Sequence, residues 1–151
     1  MEQFKLDIFS KDHPESYLRV ETLASPESEQ IIAELLRVLR LDTSRSRDSD
    51  LFEELERRVE KFPLHDRETI DLIREITDGQ NSGTDTDVFL IWGIKEAVDR
   101  VLLSDLLKSW EYIWYDVSDE AVVLLIPQFY SLLLATDHGY LGKLNPFSFP
   151  A

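Results

Sequence analysis

The sequence predicts an α+β domain in which an antiparallel sheet, formed mostly by C-terminal strands, carries about four helices packed on one face. Two observations predict this fold class. Between residues 25 and 79 the apolar residues recur at helical spacing, whereas between residues 110 and 144 short apolar runs alternate with turn residues. Helices and strands therefore separate along the chain, which is typical of α+β folds.

Length and composition place limits on the type of protein. A chain of 151 residues is long enough for one domain, 1–151, with a single core. Cysteine is absent, which excludes a disulfide framework and a thiolate zinc site. No apolar run approaches the ~20 residues that cross a bilayer. The first residues carry acids and no apolar stretch, so we expect no secretory signal and a cytoplasmic protein.

The charge is strongly one-sided, with 30 acidic and 16 basic residues and a net charge of −14. Affinity for nucleic acids and for anionic membranes depends on lysine and arginine, so we expect neither as a partner. Two interpretations of the acidity remain. Net charge keeps a protein soluble, and an acidic surface also attracts a basic protein partner.

The N-terminal segment predicts a β-hairpin. Phe4, Leu6 and Ile8 alternate with polar residues, which favours a strand, and residues 17–23 alternate in a similar way. A turn at His13 would join the two strands, because the residue before a proline is displaced from the helical region.

The first helix is predicted from Ser25, which is suited to cap it, and from Pro26, which suits the first helical position. A polar loop over 41–49 follows. Its two arginines, Arg45 and Arg47, form the nearest approach to a basic spot in the chain. The apolar face of this helix is formed by Ile31, Ile32, Leu35, Leu36, Val38 and Leu39.

Two further helices are predicted before residue 80. Asp50 and Glu53 resemble a capping box that opens the second helix, and Pro63 ends it. Asp66 caps the third, and Gly79 ends it. The inward residues of these two helices are Phe52, Leu55, Val59 and Phe62, then Ile70, Ile73 and Ile76.

The pattern changes after a flexible polar loop at about 79–87. Residues 88–92 are continuously apolar, which favours a strand buried on both faces. Residues 94–108 show helical spacing, and the alternative is that Ser104 and Asp105 divide this helix into two short pieces. Three or four strands follow, at roughly 110–115, 121–126, 129–135 and 140–144. An irregular tail at 145–151 ends the prediction.

The loop from Asp78 partly resembles an EF-hand calcium loop. Oxygen-bearing residues occupy its first, third and fifth positions, and a glycine occupies the sixth. Phe89 stands at the twelfth position, where a calcium loop has a bidentate glutamate, and a predicted strand follows instead of a helix. We therefore expect a helix-to-strand connection, with no metal site and no cofactor.

His138 and Asp137 are the catalytic candidates. His138 lies at a predicted hairpin tip, where an adjacent carboxylate would orient it as a general base. Aspartate and glycine are also the residues that a tight turn requires, and no nucleophile stands at a diagnostic spacing. A small hydrolase is therefore an alternative function.

The predicted aromatic strand at 110–115 and the acidic turn after it are the candidate contact surface. Aromatic side chains contribute strongly to interfaces, and carboxylates attract a basic partner, although core packing and a solvated turn explain the same residues. The predicted partner-binding residues are Trp110, Trp114, Tyr115, Asp116, Asp119 and Glu120.

The sequence most favours a non-enzymatic protein–protein interaction domain that binds a more basic protein. In size, acidity and α+β build the chain is similar to bacterial immunity proteins that neutralise nuclease-type toxins, although it shares no motif with them. A structural subunit that forms a homodimer is a further alternative.

Overall fold

The computed structural model describes residues 3–15, 18–63, 71, 73–74, 86–113, 121–127, 131–136 and 140–144. This part of the chain contains four bounded helices and a seven-stranded sheet, which confirms the α+β class. The helices are α1 (Gln3–Asp12), α2 (Ser25–Val38), α3 (Asp48–Arg58) and α4 (Leu103–Ile113). The strands are β1 (Val20–Thr22), β2 (Glu60–Pro63), β3 (Asp87–Ile91), β4 (Asp99–Leu102), β5 (Ala121–Ile126), β6 (Ser131–Thr136) and β7 (Tyr140–Leu144).

The strand order is β1-β4-β3-β5-β6-β7-β2, and every neighbouring pair is antiparallel. The five strands from β3 to β7 form a continuous block, while β1 and β2, from the first half of the chain, occupy the two edges. The sheet is therefore mostly C-terminal, as predicted.

One face of the sheet packs against α2 and α3. Val123 and Leu125 of β5 share a buried apolar cluster with Leu36 of α2 and Leu55 of α3. Because side chains alternate along a strand, the intervening residues of β5 point to the opposite face.

The opposite face packs against α4. Val122 and Leu124 cluster with Leu106 and Trp110 of that helix, and the helical residue Ile73 joins them. The helices therefore cover both faces instead of the one face that the sequence predicted. The physical reason is that every residue of β5 is buried, so neither face of this strand can be left to solvent.

The N-terminal hairpin prediction is wrong, because residues 3–12 form helix α1. Its buried residues, Lys5 and Phe9, are four apart and lie on one helical face. The alternation of Phe4, Leu6 and Ile8 extends over too few residues to exclude a helix. The second predicted strand is confirmed in part, since β1 forms but pairs with β4.

The helices α2 and α3 are confirmed with different ends. Ala24, and not Ser25, is the N-cap of α2. Helix α3 begins at Asp48, and the Arg47 N–H donates to Asp50 Oδ2 at 2.7 Å, so Asp50 caps the helix from within its first turn. The helix ends at Arg58, before the expected stop at Pro63, because residues 60–63 pair with β7 as strand β2.

The predicted helix at 94–108 is confirmed only for residues 103–108, and the strand predicted at 110–115 is wrong for residues 110–113, while residues 114 and 115 lie outside the described part of the chain. Residues 99–102 form strand β4, and α4 follows from Leu103 to Ile113. Leu103, Leu106 and Trp110 are buried at helical spacing, and this periodicity prevails over the alternation of Trp110, Tyr112 and Trp114.

The remaining strands agree with the sequence at 87–91, 121–126, 131–136 and 140–144. Asp71, Ile73 and Arg74, within the predicted third helix, are helical. The tail at 145–151 and most of the loop at 79–87 lie outside the described residues. None of the helices in the described part has the length and apolarity needed to cross a membrane.

Truncation of Leu106 tests the second layer of the core. Leu106 is fully buried against β5, so Leu106→Ala should lower the free energy of unfolding by about 2–5 kcal/mol. Leu107→Ala, in the same helix and at a half-buried position, is the matched control and should cost less than half as much. Urea unfolding measures both. Equal losses would contradict the orientation of α4.

Candidate functional site

A cleft of about 410 Å³ opens between the start of α2, residues 43–47 before α3, and residues 94–97 between β3 and β4. Its wall is mostly polar, with an apolar part formed by Ile32, Ile94 and Ala97. The other lining residues are Ser25, Ser28, Glu29, Thr43, Ser44, Arg45, Ser46, Arg47, Lys95 and Glu96.

The wall at residues 43–47 is shaped by a turn around Asp42. Its Oδ1 accepts hydrogen bonds from the Ser44 N–H at 2.8 Å and the Ser44 hydroxyl at 2.7 Å. The Ser46 N–H donates to the Asp42 carbonyl at 3.0 Å. The Ser44 hydroxyl, followed by the Ser44 N–H, holds the pKa of the Asp42 carboxyl below its usual range. The carboxylate is therefore ionised at neutral pH, and it orders the turn through charge-assisted bonds.

Asp48 connects the start of α3 to residues 94–97. Its Oδ1 accepts the Ile94 N–H at 2.7 Å. A Cβ atom on Gly93 would lie 2.8 Å from Asp48 Oδ2, closer than side-chain atoms pack, so any larger residue here would displace the Asp48 carboxylate.

Ser28 connects the first turn of α2 to the same segment. Its buried hydroxyl accepts the Val98 N–H at 3.0 Å and donates to the Leu23 carbonyl at 3.3 Å. Both helices are thus joined to the β3–β4 connection by bonds to its backbone, which sets the spacing of the three walls.

The lining of the cleft has a net positive charge, although the chain as a whole is strongly acidic. Arg45, Arg47 and Lys95 line it, together with the acids Glu29 and Glu96, so the ionisable lining residues sum to 3 − 2 = +1. Arg47 Nε lies 3.7 Å from Asp50 Oδ2, and its side chain is 81% exposed. Within the described part of the chain, Arg45 and Lys95 have no ion pair. The sequence drew attention to the two arginines, but it gave no sign of Lys95, which a distant part of the chain supplies.

A second polar cluster is buried beside β4. Asp99 is fully buried, and its Oδ1 accepts the Thr22 hydroxyl at 2.7 Å while Oδ2 accepts the Trp92 Nε1–H at 2.9 Å. Lys5 Nζ, in a residue only 2% exposed, lies 4.6 Å from the centroid of the Trp92 ring. Asp99 thereby holds β1 and the segment after β3 together, and Lys5 attaches α1 to them through a cation–π contact.

The role of the Asp99 cluster is structural. Both carboxylate oxygens accept donors from the surrounding chain, which compensates the cost of burying the charge. Sequence reasoning missed the cluster, and the only signal was an acid close to the apolar residues Val98 and Val101.

The structure corrects one of the predicted contact residues. Trp110 is only 6% exposed and packs in the core beneath α4, so its side chain does not contribute to an exposed aromatic surface. The reason is that the segment is helical and directs Trp110 toward β5. The other predicted contacts, Trp114, Tyr115, Asp116, Asp119 and Glu120, lie outside the described residues, as do Asp137 and His138. Their roles stay predictions.

Among the side chains that the structure describes, no group of three or more histidine, aspartate or glutamate residues is arranged to hold a metal ion. No protein-family model, no curated protein and no solved structure matches this chain.

The buried carboxylate gives a stability prediction. Asp99→Asn should lower the free energy of unfolding by about 2–3 kcal/mol, because it weakens two bonds to a buried charge and places an amide donor against donors. Asp87→Asn, the same change at an exposed site on the neighbouring strand, should stay within about 0.5 kcal/mol of the parent. Urea unfolding at pH 7 distinguishes them. A neutral Asp99→Asn would contradict the structural role.

The contact between Gly93 and Asp48 can be tested by a double-mutant cycle. Gly93→Ala should destabilise the protein by about 1 kcal/mol, because the added methyl displaces the Asp48 carboxylate from its bond with the Ile94 N–H. The same substitution should cost at least about 0.5 kcal/mol less in an Asp48→Ala background, where the obstruction is gone. If the two substitutions change the free energy of unfolding additively in chemical denaturation, Gly93 and Asp48 do not interact.

Proposed function

We propose that this chain is a non-enzymatic, cytoplasmic protein–protein interaction domain that binds a more basic protein. The supporting observation is the location of its acid excess. Among the side chains that the structure describes, Asp99 is the only buried carboxylate, so the others face solvent wholly or in part. The negative charge is therefore available to a partner.

Local ion pairs remove part of the positive charge from the surface. Arg37 pairs with Glu34, while Arg57 and Arg58 both bond to Glu54. Arg37 lowers the pKa of Glu34, and Arg57, then Arg58, lowers that of Glu54, so both acids are ionised at neutral pH. Three arginines are thereby paired with two glutamates of their own helices.

Several other exposed carboxylates of the described part of the chain have no basic side chain paired with them. Glu15, Glu53 and Asp87 are exposed and have no ion pair within the described part of the chain. Because they lie in separate parts of the chain, in the turn after α1, in α3 and in β3, the negative potential is not confined to one spot.

A broad negative potential favours association with a basic protein. It raises the rate of encounter, and salt weakens the effect because exposed charges are screened beyond about 8 Å at physiological ionic strength. The same potential disfavours contacts with nucleic acids and anionic lipids. In size, acidity and build this profile is similar to bacterial immunity proteins, which supports binding of a basic toxin-like protein.

We place the contact at the aromatic and acidic segment after α4. Trp114 and Tyr115 would provide rigid area, while Asp116, Asp119 and Glu120 would provide charge within five residues. The end of α4 brings the chain to this segment.

The first experiment is affinity capture from the native cell's lysate on the immobilised chain. We expect a stoichiometric protein of high isoelectric point that binds at low salt and elutes as salt rises. Its isolated form should then bind the purified chain with the same salt dependence. The proposal would be refuted if no protein is captured, or if the captured protein has a neutral charge and binds with an affinity that does not depend on salt concentration.

Neutralising the acidic segment tests the position of the contact. Asp116→Asn, Asp119→Asn and Glu120→Gln together should slow association with the captured partner severalfold and flatten its salt dependence, because attractive charges close to the interface are lost. Stopped-flow or surface-based kinetics over a range of salt measure this effect.

The matched control removes the same amount of charge elsewhere. Glu15→Gln, Glu53→Gln and Asp87→Asn together also raise the net charge by three, at exposed positions in the turn after α1, in α3 and in β3. This control should change association less. Equal effects of the two triple variants would place the contact elsewhere, and no effect of either would rule out electrostatic attraction.

A further inference from the structure

We propose that the cleft between α2, residues 43–47 and residues 94–97 binds the phosphate group of a small organic phosphate monoester. The lining of this cleft includes none of the residues of the proposed partner contact. It is also opposite in charge, since three cations line a cleft in a chain whose net charge is −14.

The first support is the placement of the cations on two different walls. Arg45 and Arg47 come from the segment before α3, whereas Lys95 comes from the connection between β3 and β4. Cations from both sides can contact one anion in the space between them. Within the described residues, Arg45 and Lys95 have no competing ion pair, and arginine matches phosphate with two parallel N–H donors.

The second support is the set of neutral donors around the cations. Ser25, Thr43 and Ser46 place hydroxyl groups on the lining of the cleft. The Ser28 and Ser44 hydroxyls already donate to Leu23 and Asp42, so they shape the walls and do not bind ligand. Three cations and three hydroxyls exceed what a carboxylate can accept, and they suit the several oxygens of a phosphate.

The start of α2 adds to this positive potential. Its N-cap, Ala24, has no side-chain oxygen to accept the first N–H groups of the helix. The positive end of a helix favours an anion at this position. Here it supplements the side-chain cations and does not constitute the site by itself.

The remaining lining defines the size and polarity of the ligand. Ile32, Ile94 and Ala97 form an apolar wall beside the cations, which suits the organic part of an ester. Glu29 and Glu96 disfavour further negative charge, so a monoester fits better than a polyphosphate. A volume of about 410 Å³ lies within the usual range for small-ligand sites.

The test is a titration of the full-length chain with inorganic phosphate and with phenyl phosphate, followed by amide NMR shifts at constant ionic strength. We expect saturable shifts confined to residues 25–29, 43–47 and 94–97, with tighter binding of the ester. Arg45→Gln and Lys95→Gln should each weaken binding about three- to tenfold, while Lys95→Arg should retain most of it.

The control is Lys108→Gln, which removes an exposed cation from α4 on the other face of the sheet and should leave the affinity unchanged. All substituted positions are exposed, so unchanged amide spectra elsewhere will show that each variant is folded. Linear shifts that are the same in the parent and both cleft variants would mean an adventitious ion only and would overturn the proposal. Phenyl phosphate that binds no more tightly than inorganic phosphate would overturn the assignment of an ester ligand. Neither result would bear on capture of a basic protein partner.

Discussion

The structure depends on one constraint: the two central strands, β5 and β6, must be covered on both faces. All six residues of β5 and five of the six of β6 are buried. A strand with no polar face cannot border solvent, so the protein needs a helical layer on each side of the sheet. Helices α2 and α3 provide one layer, and α4 with the helical residue Ile73 provides the other. The position of each helix therefore follows from the need to bury this central pair.

The cleft is a consequence of the same arrangement. Once α2 and α3 lie on one face, their first turns meet the connection between β3 and β4, and Ser28 and Asp48 bond to its backbone at Val98 and Ile94. The walls are thus held by short bonds from buried or helical positions, while the long cationic side chains extend from them. A site of this kind combines a rigid frame with adaptable charged groups, which suits recognition of a small anion.

The sequence predicted the elements that depend on local interactions, and it did not predict those that depend on contacts between distant parts of the chain. Helix α2 and strands β3, β5 and β7 were predictable, because their apolar spacing reflects local geometry. Strand β2 was not, because residues 60–63 form a strand only by pairing with residues 140–143. Trp110 fitted both an alternating and a helical pattern, and only the buried face of β5 decided between them. Only part of the cleft could be predicted from the sequence. Arg45 and Arg47 are close in sequence, whereas Lys95 joins them on the lining only because of the fold.

The acidic surface and the cationic cleft are compatible because they act over different distances. The net charge of −14 gives the molecule a negative potential, which would attract a basic partner from a distance and which salt screens beyond about 8 Å. Inside the cleft the contacts with a ligand are only a few ångströms long, so the three lining cations, which exceed the two lining acids by one charge, act more strongly there than the acids outside the cleft. An anion small enough to enter would meet these cations directly, whereas a macromolecular polyanion would meet the acidic exterior first. The fold can thus exclude large polyanions from its surface and still bind a small phosphate.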